Sequence, residues 1–528
     1  MANRVLFRSI AGKLLPKPDA VNEAKGPAYA LAPKHALAQY IATGCLNSTF
    51  YASAEEQLSK VMALCGEIDS EFIARTAIFC RERGRMKDAP ALLCAVLAGR
   101  DTRLLETIFP RVIDNAKMLR NFVQIIRSGV TGRKSLGSAP KRMVIRWLEA
   151  RSEEALFISS VGQSPSLGDV IKMVHPKPAA AGREALYAYL IGRTSHHEAL
   201  PEFVRNYEAF KAGATSTVPK VPLAMLTALP LGKSDWIEIA RNAPWQATRM
   251  NLNTFARHRV FGDDSARSKR QIETARIVAE RLRDREAIVN ARAFPYQLMV
   301  AYANADARVP GMVKEALQDA MEIALENVPS IAGKVHVLPD VSGSMHSPIT
   351  GNRAGATTTV RCIDVAALIA AAMLRKNPDA EVLPFNDRLV PVELNPRDTI
   401  ITNATKLAAL PRGGTNCSAP LAHLNERRAK GDLVVYVSDN QSWIDAANAK
   451  ARGTTTMIEW NRFKVGSPLA RLVCIDLQPY GTTQAAERDD ILNVGGFSDQ
   501  VFETVAEFAV GRLAAEHWVS SIEAIEIG

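Results

Sequence analysis

Cysteine is scarce and scattered in this 528-residue chain: seven thiols, Cys45, Cys65, Cys80, Cys94, Cys362, Cys417 and Cys474, with no C-x-x-C pair and an odd total. That pattern excludes a disulfide framework and a zinc ribbon and fits a reducing compartment. Long apolar runs are also missing. The longest, around Val365 to Leu374, is far short of the ~20 residues that cross a bilayer, and no basic-apolar-small leader opens the chain. A phosphate-cradling loop is absent too, because Gly232-Lys233-Ser234 lacks the glycine five residues earlier that a P-loop requires. The expectation is a soluble, cytoplasmic protein without a membrane partner.

Hydrophobic residues make up 47% of the chain and charged residues 23%, a globular composition, and the length calls for two or more domains. Negative charge is what the front part has little of. Residues 1–330 hold 46 Lys and Arg against 33 Asp and Glu, a net +13, whereas residues 331–528 hold 19 against 22, a net −3. Such an asymmetry points to a polyanionic partner, most often nucleic acid. Lys117 to Arg146 carries eight basic residues (Lys117, Arg120, Arg127, Arg133, Lys134, Lys141, Arg142, Arg146) and no acid. A second basic cluster runs from Arg257 to Arg285.

From about residue 28 to 330 apolar residues recur at spacings of three and four, which predicts helix after helix: Ala36–Thr43, Ala54–Cys65, Ser70–Arg83, Ala89–Leu97, Ala116–Ile126, Lys141–Ala150, Arg183–Ile191 and Ile272–Arg283. Glycine and proline breakers separate them. Helix pairs in succession suggest an α-solenoid with an extended curved surface. From about residue 331 strands alternate with helices. Strands are expected at Lys334–Asp340, Glu381–Phe385, Arg388–Leu394, Leu433–Val437 and Leu472–Leu477, and helices at 360–376, 418–430, 444–452 and 498–515. The uninterrupted apolar runs at Leu433–Val437 and Leu472–Ile475 are what parallel strands covered on both faces require. The organisation expected is a helical, nucleic-acid-binding domain over 1–330 and an α/β domain over 331–528.

Chemistry gathers at strand ends in the second part. Asp340-Val341-Ser342-Gly343-Ser344 follows a buried strand and offers one carboxylate and two hydroxyls at alternate positions. Mg²⁺ takes such hard oxygen ligands, keeps some of its water, and leaves room for a ligand from elsewhere. Gly413-Gly414-Thr415 adds an oxygen directly or through water, and Ser438-Asp439 adds a charge through water. The candidate ligands are Asp340, Ser342, Ser344, Thr415 and Asp439, for a divalent cation, Mg²⁺. Helix and turn capping explains any single member but not the set. The alternative reading is a Mg²⁺-dependent protein-interaction module whose cation docks a partner's carboxylate, and behind it a Mg²⁺-dependent hydrolase. No second acid follows Asp340 at two residues, and His346 is the sole nearby candidate for a base, so no catalytic residue is assigned.

The order D-x-S-x-S, G-G-T, S-D resembles the metal-ion-dependent adhesion site of von Willebrand factor A domains. With the basic helical part in front, the chain resembles the Ro autoantigen family, a TROVE domain followed by an A domain. The likeness is carried by Gly44–Leu58, Gly137–Trp147 (G-S-A-P-K-R-M-V-I-R-W), His175–Pro178 (H-P-K-P), Asp340–Met345, Gly413–Pro420, Ser438–Trp443 and Gly495-Gly496-Phe497. The resemblance implies a monomeric ring of HEAT-like helical repeats closed by a Rossmann-like A domain. It also implies a non-enzymatic role in RNA quality control: binding small noncoding Y-like RNA and single-stranded ends of misfolded RNA, with the metal site open to an acidic protein partner. Lys141 and Arg142 match the family's basic pair before the tryptophan, and His175 with Lys177 matches its H-x-K motif. Arg120, Lys134 and Arg146 join them on charge alone. Two departures stand out. Ile158 to Gly168, basic and tryptophan-bearing in relatives, is uncharged here, which moves the expectation from Y RNA toward RNA in general. Gln441 stands where relatives usually show Glu.

Overall fold

The structure is a computed structural model. It describes residues 16–528 except 43–46, 50, 85, 163, 194–196, 263–267, 292, 294, 329, 352–359, 443–452, 497–498 and 512–516. Two compact units make up the chain: one of residues 1–67, 294–296 and 324–521, the other of residues 68–293, 297–323 and 522–528.

The first unit carries all the described strands: β1 Ala20–Val21, β2 Pro27–Ala30, β3 Val335–Pro339, β4 Glu381–Val382, β5 Leu433–Ser438, β6 Arg471–Asp476, β7 Thr482–Thr483 and β8 Ile491–Gly495. Five of them form a sheet in the order β4-β3-β5-β6-β8, with every neighbour parallel. β5 is buried at all six positions, as its continuous apolar sequence demands of a strand covered on both faces. The register pairs Pro339 with Val437 and Ser438 with Asp476. Parallel pairing at this register puts the carboxyl ends of β3, β5 and β6 side by side, where α/β sheets hold their ligands. One face is packed by the helix Cys362–Lys376, whose residues from Cys362 to Leu374 are buried except Asp364. β1, β2 and β7 form a separate antiparallel sheet.

Strand-like pattern is not confined to the back of the chain, since β1 and β2 lie at its front. The strand expected at Arg388–Leu394 is not formed; Leu389 makes an isolated bridge to Phe385 instead. Helices also stand at Ile400–Ala408 and Thr455–Gly466, and the helix expected at 444–452 falls outside the described residues.

Among the described residues, every regular element of the second unit is a helix. Its helices include Ser70–Glu82, Asp88–Arg100, Ala116–Arg127, Ser138–Glu149, Leu167–Val174 and Lys269–Leu282. Asp69, Asp101, Asn115, Ser152, Ser166 and Ser268 cap helix starts by accepting backbone N–H bonds. Ala116–Arg127 turns Met118, Leu119, Phe122, Val123 and Ile126 inward. Ser138–Glu149 does the same with Met143, Val144, Trp147 and Leu148, so Lys117, Arg127, Arg142 and Arg146 fall on the exposed faces of the two helices.

Candidate metal centre and basic face

Asp340 lies one residue beyond β3 and is fully buried. Its N–H donates to Val437 O at 2.9 Å, which fixes it against β5. Oδ1 accepts the Ser342 N–H at 2.8 Å, and Oδ2 accepts the Ser438 hydroxyl at 2.6 Å. Ser342 Oγ and Ser344 Oγ are 3.3 Å apart. The glycine loop is tied in by Gly343 N–H to Gly413 O at 3.0 Å. Ser442 joins that loop to the third: its hydroxyl accepts Cys417 N–H at 3.2 Å and donates to Thr415 O at 3.4 Å. Asp340, Ser342, Ser344, Thr415 and Asp439 are all 5% exposed or less. The five expected ligands thus sit on three mutually bonded loops, two of them at the adjacent ends of β3 and β5.

Asp439 differs from Asp340 in one respect. Its Oδ1 and Oδ2 are both buried without a hydrogen-bond partner. Burial raises its pKa, while the nearby Ser344 hydroxyl and Gln441 N–H, too poorly placed to bond it, pull the other way. Asp340 is raised by burial and by the Asp439 charge, against the Ser438 and Ser342 bonds. A buried anion with no partner costs free energy that a cation removes. The donor set is oxygen throughout, with few carboxylates. No group of three or more His, Cys, Asp or Glu stands at metal-holding spacing among the described residues. Hard oxygens on few charges suit Mg²⁺ better than a soft metal, so the residues present fit the group.

Three neighbours escape sequence reasoning. Ser438 is the donor that orients Asp340. Asp476, at the end of β6, is buried and pushed well up by burial and by Asp439; its signal is an acid closing the next parallel strand. Tyr51 brings its hydroxyl to the Ser344 side chain from a segment distant in sequence. His346 Nδ1 accepts a bond from Arg361 Nη1 at 3.0 Å, and burial with Arg412 and Arg361 lowers its pKa.

On the helical unit, Arg142 and Arg146 are exposed on Ser138–Glu149, and Lys141 is half-buried. Arg146 pairs with Glu106 at 2.6 Å. Lys134 is exposed in the loop before that helix, and His175 and Lys177 are exposed just after Leu167–Val174. His175 takes φ +51° as it ends the helix, its N–H reaching Ile171 O. Leu167–Val174 packs on both Ala116–Arg127 and Ser138–Glu149, so the seven basic positions belong to one helical cluster. Arg120 is placed differently: half-buried, with Nε donating to Ala116 O at 3.3 Å and the guanidinium tucked under Gly162. Burial lowers its pKa.

A parallel sheet with an acid and hydroxyls on its strand ends, joined to a helical unit, defines a von Willebrand factor A domain protein of mixed α and α/β architecture. Residues 334–509 match the family model described as the Ro60 vWA domain. The chain is similar to "RNA-binding protein RO60" of Deinococcus radiodurans, 25% identical across 93% of this chain and 95% of the relative. Its fold is similar to the crystal structure of the Deinococcus radiodurans RO (RSR) protein. That match has a TM-score of 0.60 and 22% identity and covers 91% of this chain and all of that one. No described helix is long and apolar enough to cross a membrane.

Proposed function

We propose that this chain binds RNA without transforming it, through phosphate contacts on the outer face of its helical unit. The RNA is small noncoding, Y-like RNA or the single-stranded ends of misfolded RNA, as in RNA quality control. The observation that carries this reading is the acid-free stretch Lys117–Arg146. Lys134 and Arg142 are exposed there and, like Lys141 and Lys177, form no ion pair among the described residues. Free cations beside one another favour a polyanion. The relative similar over nearly the whole chain is itself named an RNA-binding protein. Filter binding across a salt series tests the reading: affinity for structured or single-stranded RNA falls as salt rises. No binding at low salt, or no salt slope, overturns it.

The A domain holds one divalent cation, Mg²⁺, on Asp340, Ser342, Ser344, Thr415 and Asp439. When bound, the ion supplies the positive charge that the buried carboxylates lack. Ser438 and the Ser342 N–H orient Asp340, and Ser442 holds the Thr415 loop against the third. A thermal shift on adding Mg²⁺ is expected in the native chain and not in Asp340→Ala; an equal shift in both rejects the site.

A further inference from the structure

A site of this kind keeps one face open for a ligand that its own loops do not supply. In this chain, a segment of the same compact unit packs beside these loops. Asn47 Nδ2 donates to Thr350 O at 2.8 Å, in the segment that follows Ser344. Tyr480 donates its hydroxyl to Thr49 Oγ1 at 2.9 Å. Tyr51 packs edge-on against Tyr480, ring centroids 6.0 Å apart, and places its own hydroxyl at the Ser344 side chain, with Asp439 and Asp340 nearby. Gln57 Nε2 donates to Asn47 O at 2.6 Å, which ties the segment to the helix Ala54–Glu67. An edge-on ring contact and three hydrogen bonds therefore hold the segment that sets a neutral oxygen beside a candidate ligand and beside the unpartnered Asp439 carboxylate.

We propose that Tyr51 is the occupant of the open face: its phenol oxygen completes the cation's surroundings from within the chain, where a protein partner's carboxylate otherwise would. A phenol oxygen is a hard neutral donor like the serine hydroxyls, and it adds no third negative charge. The cation then clasps the N-terminal segment onto the A domain. This rests on the reading of Asp340, Ser342, Ser344, Thr415 and Asp439 as a Mg²⁺ site.

The test is hydrogen exchange and Mg²⁺ titration on the full chain, in EDTA and in Mg²⁺, for the native protein, Tyr51→Phe and Asp340→Ala. In the native protein Mg²⁺ slows exchange over residues 51–57. Tyr51→Phe keeps the ring and its packing, retains its Tm in EDTA, binds Mg²⁺ about tenfold more weakly, and loses that Mg²⁺-linked protection. Acetate serves as the carboxylate probe: it binds Tyr51→Phe in Mg²⁺ and not the native chain. Mg²⁺ binding that leaves exchange over 51–57 unchanged overturns the proposal while the cation site stands. So does equal affinity in Tyr51→Phe, or Mg²⁺-dependent acetate binding to the native chain. Should Tyr51→Phe fail to fold, the native exchange and acetate arms decide. No Mg²⁺ binding to the native chain removes both readings.

Discussion

The Ser438 hydroxyl donates to Asp340 Oδ2 at 2.6 Å and so joins the end of β5 to the end of β3. The same oxygen accepts the Asn440 N–H at 2.9 Å, so one side chain orients a carboxylate and shapes the turn that carries Asp439. Asn440 takes φ +61° in that turn. Ser438 thus relates two of the proposed ligands without being one.

Ser438→Ala should therefore separate orientation from charge. Removing the hydroxyl leaves a buried carboxylate oxygen and a backbone N–H without their bonds, which costs about 1–3 kcal/mol. Chemical denaturation in EDTA reads that loss. Mg²⁺ affinity should fall as well, by about tenfold or more, because outer partners hold ligands in place. Unchanged Mg²⁺ binding would show that Asp340 needs no such support.

Lys141→Ala and Arg142→Ala should each weaken RNA binding similarly across sequences and lower the salt slope by about 1. Neither enters the core of its helix, which is built from Met143, Val144, Trp147 and Leu148, so thermal stability should hold. Arg120→Ala is the contrast. Its guanidinium is packed under the Gly162 loop, and its replacement should lower stability more than RNA affinity. A pattern in which Arg120→Ala alone abolishes binding with an intact fold would reassign the RNA contacts.

The metal loops are legible in the sequence because each proposed ligand follows a local rule. Asp340 and Asp439 each close a largely apolar strand, and Thr415 stands on a glycine turn before a helix. Asp476 obeys the same rule, yet Leu477 extends the apolar pattern past it and hides the strand end. What local pattern does not carry is contact between distant segments. Nothing around Tyr51 signals that it meets Ser344, and nothing around Arg120 signals that Gly162 folds over it. The strand expected at 388–394 fails for a related reason: its alternation is real, but Asn386 N–H bonds back to Arg388 O and Val390 N–H to Pro384 O. The segment closes on itself and stays out of the sheet.

Gly162→Ala tests the uncharged stretch Ile158 to Gly168. Gly162 has φ +116°, a region that side chains rarely adopt, and an added methyl meets the Arg120 guanidinium. Backbone strain of this kind costs about 1–3 kcal/mol, so Tm should drop. A Tm equal to the native value would mean that the loop relaxes and that Arg120 is free to turn outward.

Asp490 governs an acid-sensitive part of the A domain away from the metal loops. Burial pushes its pKa up, but the Arg488 guanidinium, the Lys464 ammonium and the Trp460 indole outweigh burial and hold it below the usual carboxylate range. Arg488 Nη2 donates to Oδ2 at 2.8 Å and Trp460 Nε1 at 3.1 Å, with Lys464 Nζ at 3.4 Å. A carboxylate whose pKa is depressed on folding binds fewer protons in the native state than in the unfolded one. Stability from it is complete above the unfolded value, near 3.9, and is lost as pH falls through the folded value. Asp490→Asn should cost about 1–3 kcal/mol at neutral pH and flatten the part of the stability loss that lies below about pH 4. Urea titrations of both chains between neutral and acid pH measure this. Parallel stability curves, with the same acid slope in the variant, would mean that the Arg488–Asp490 contact contributes nothing to acid unfolding.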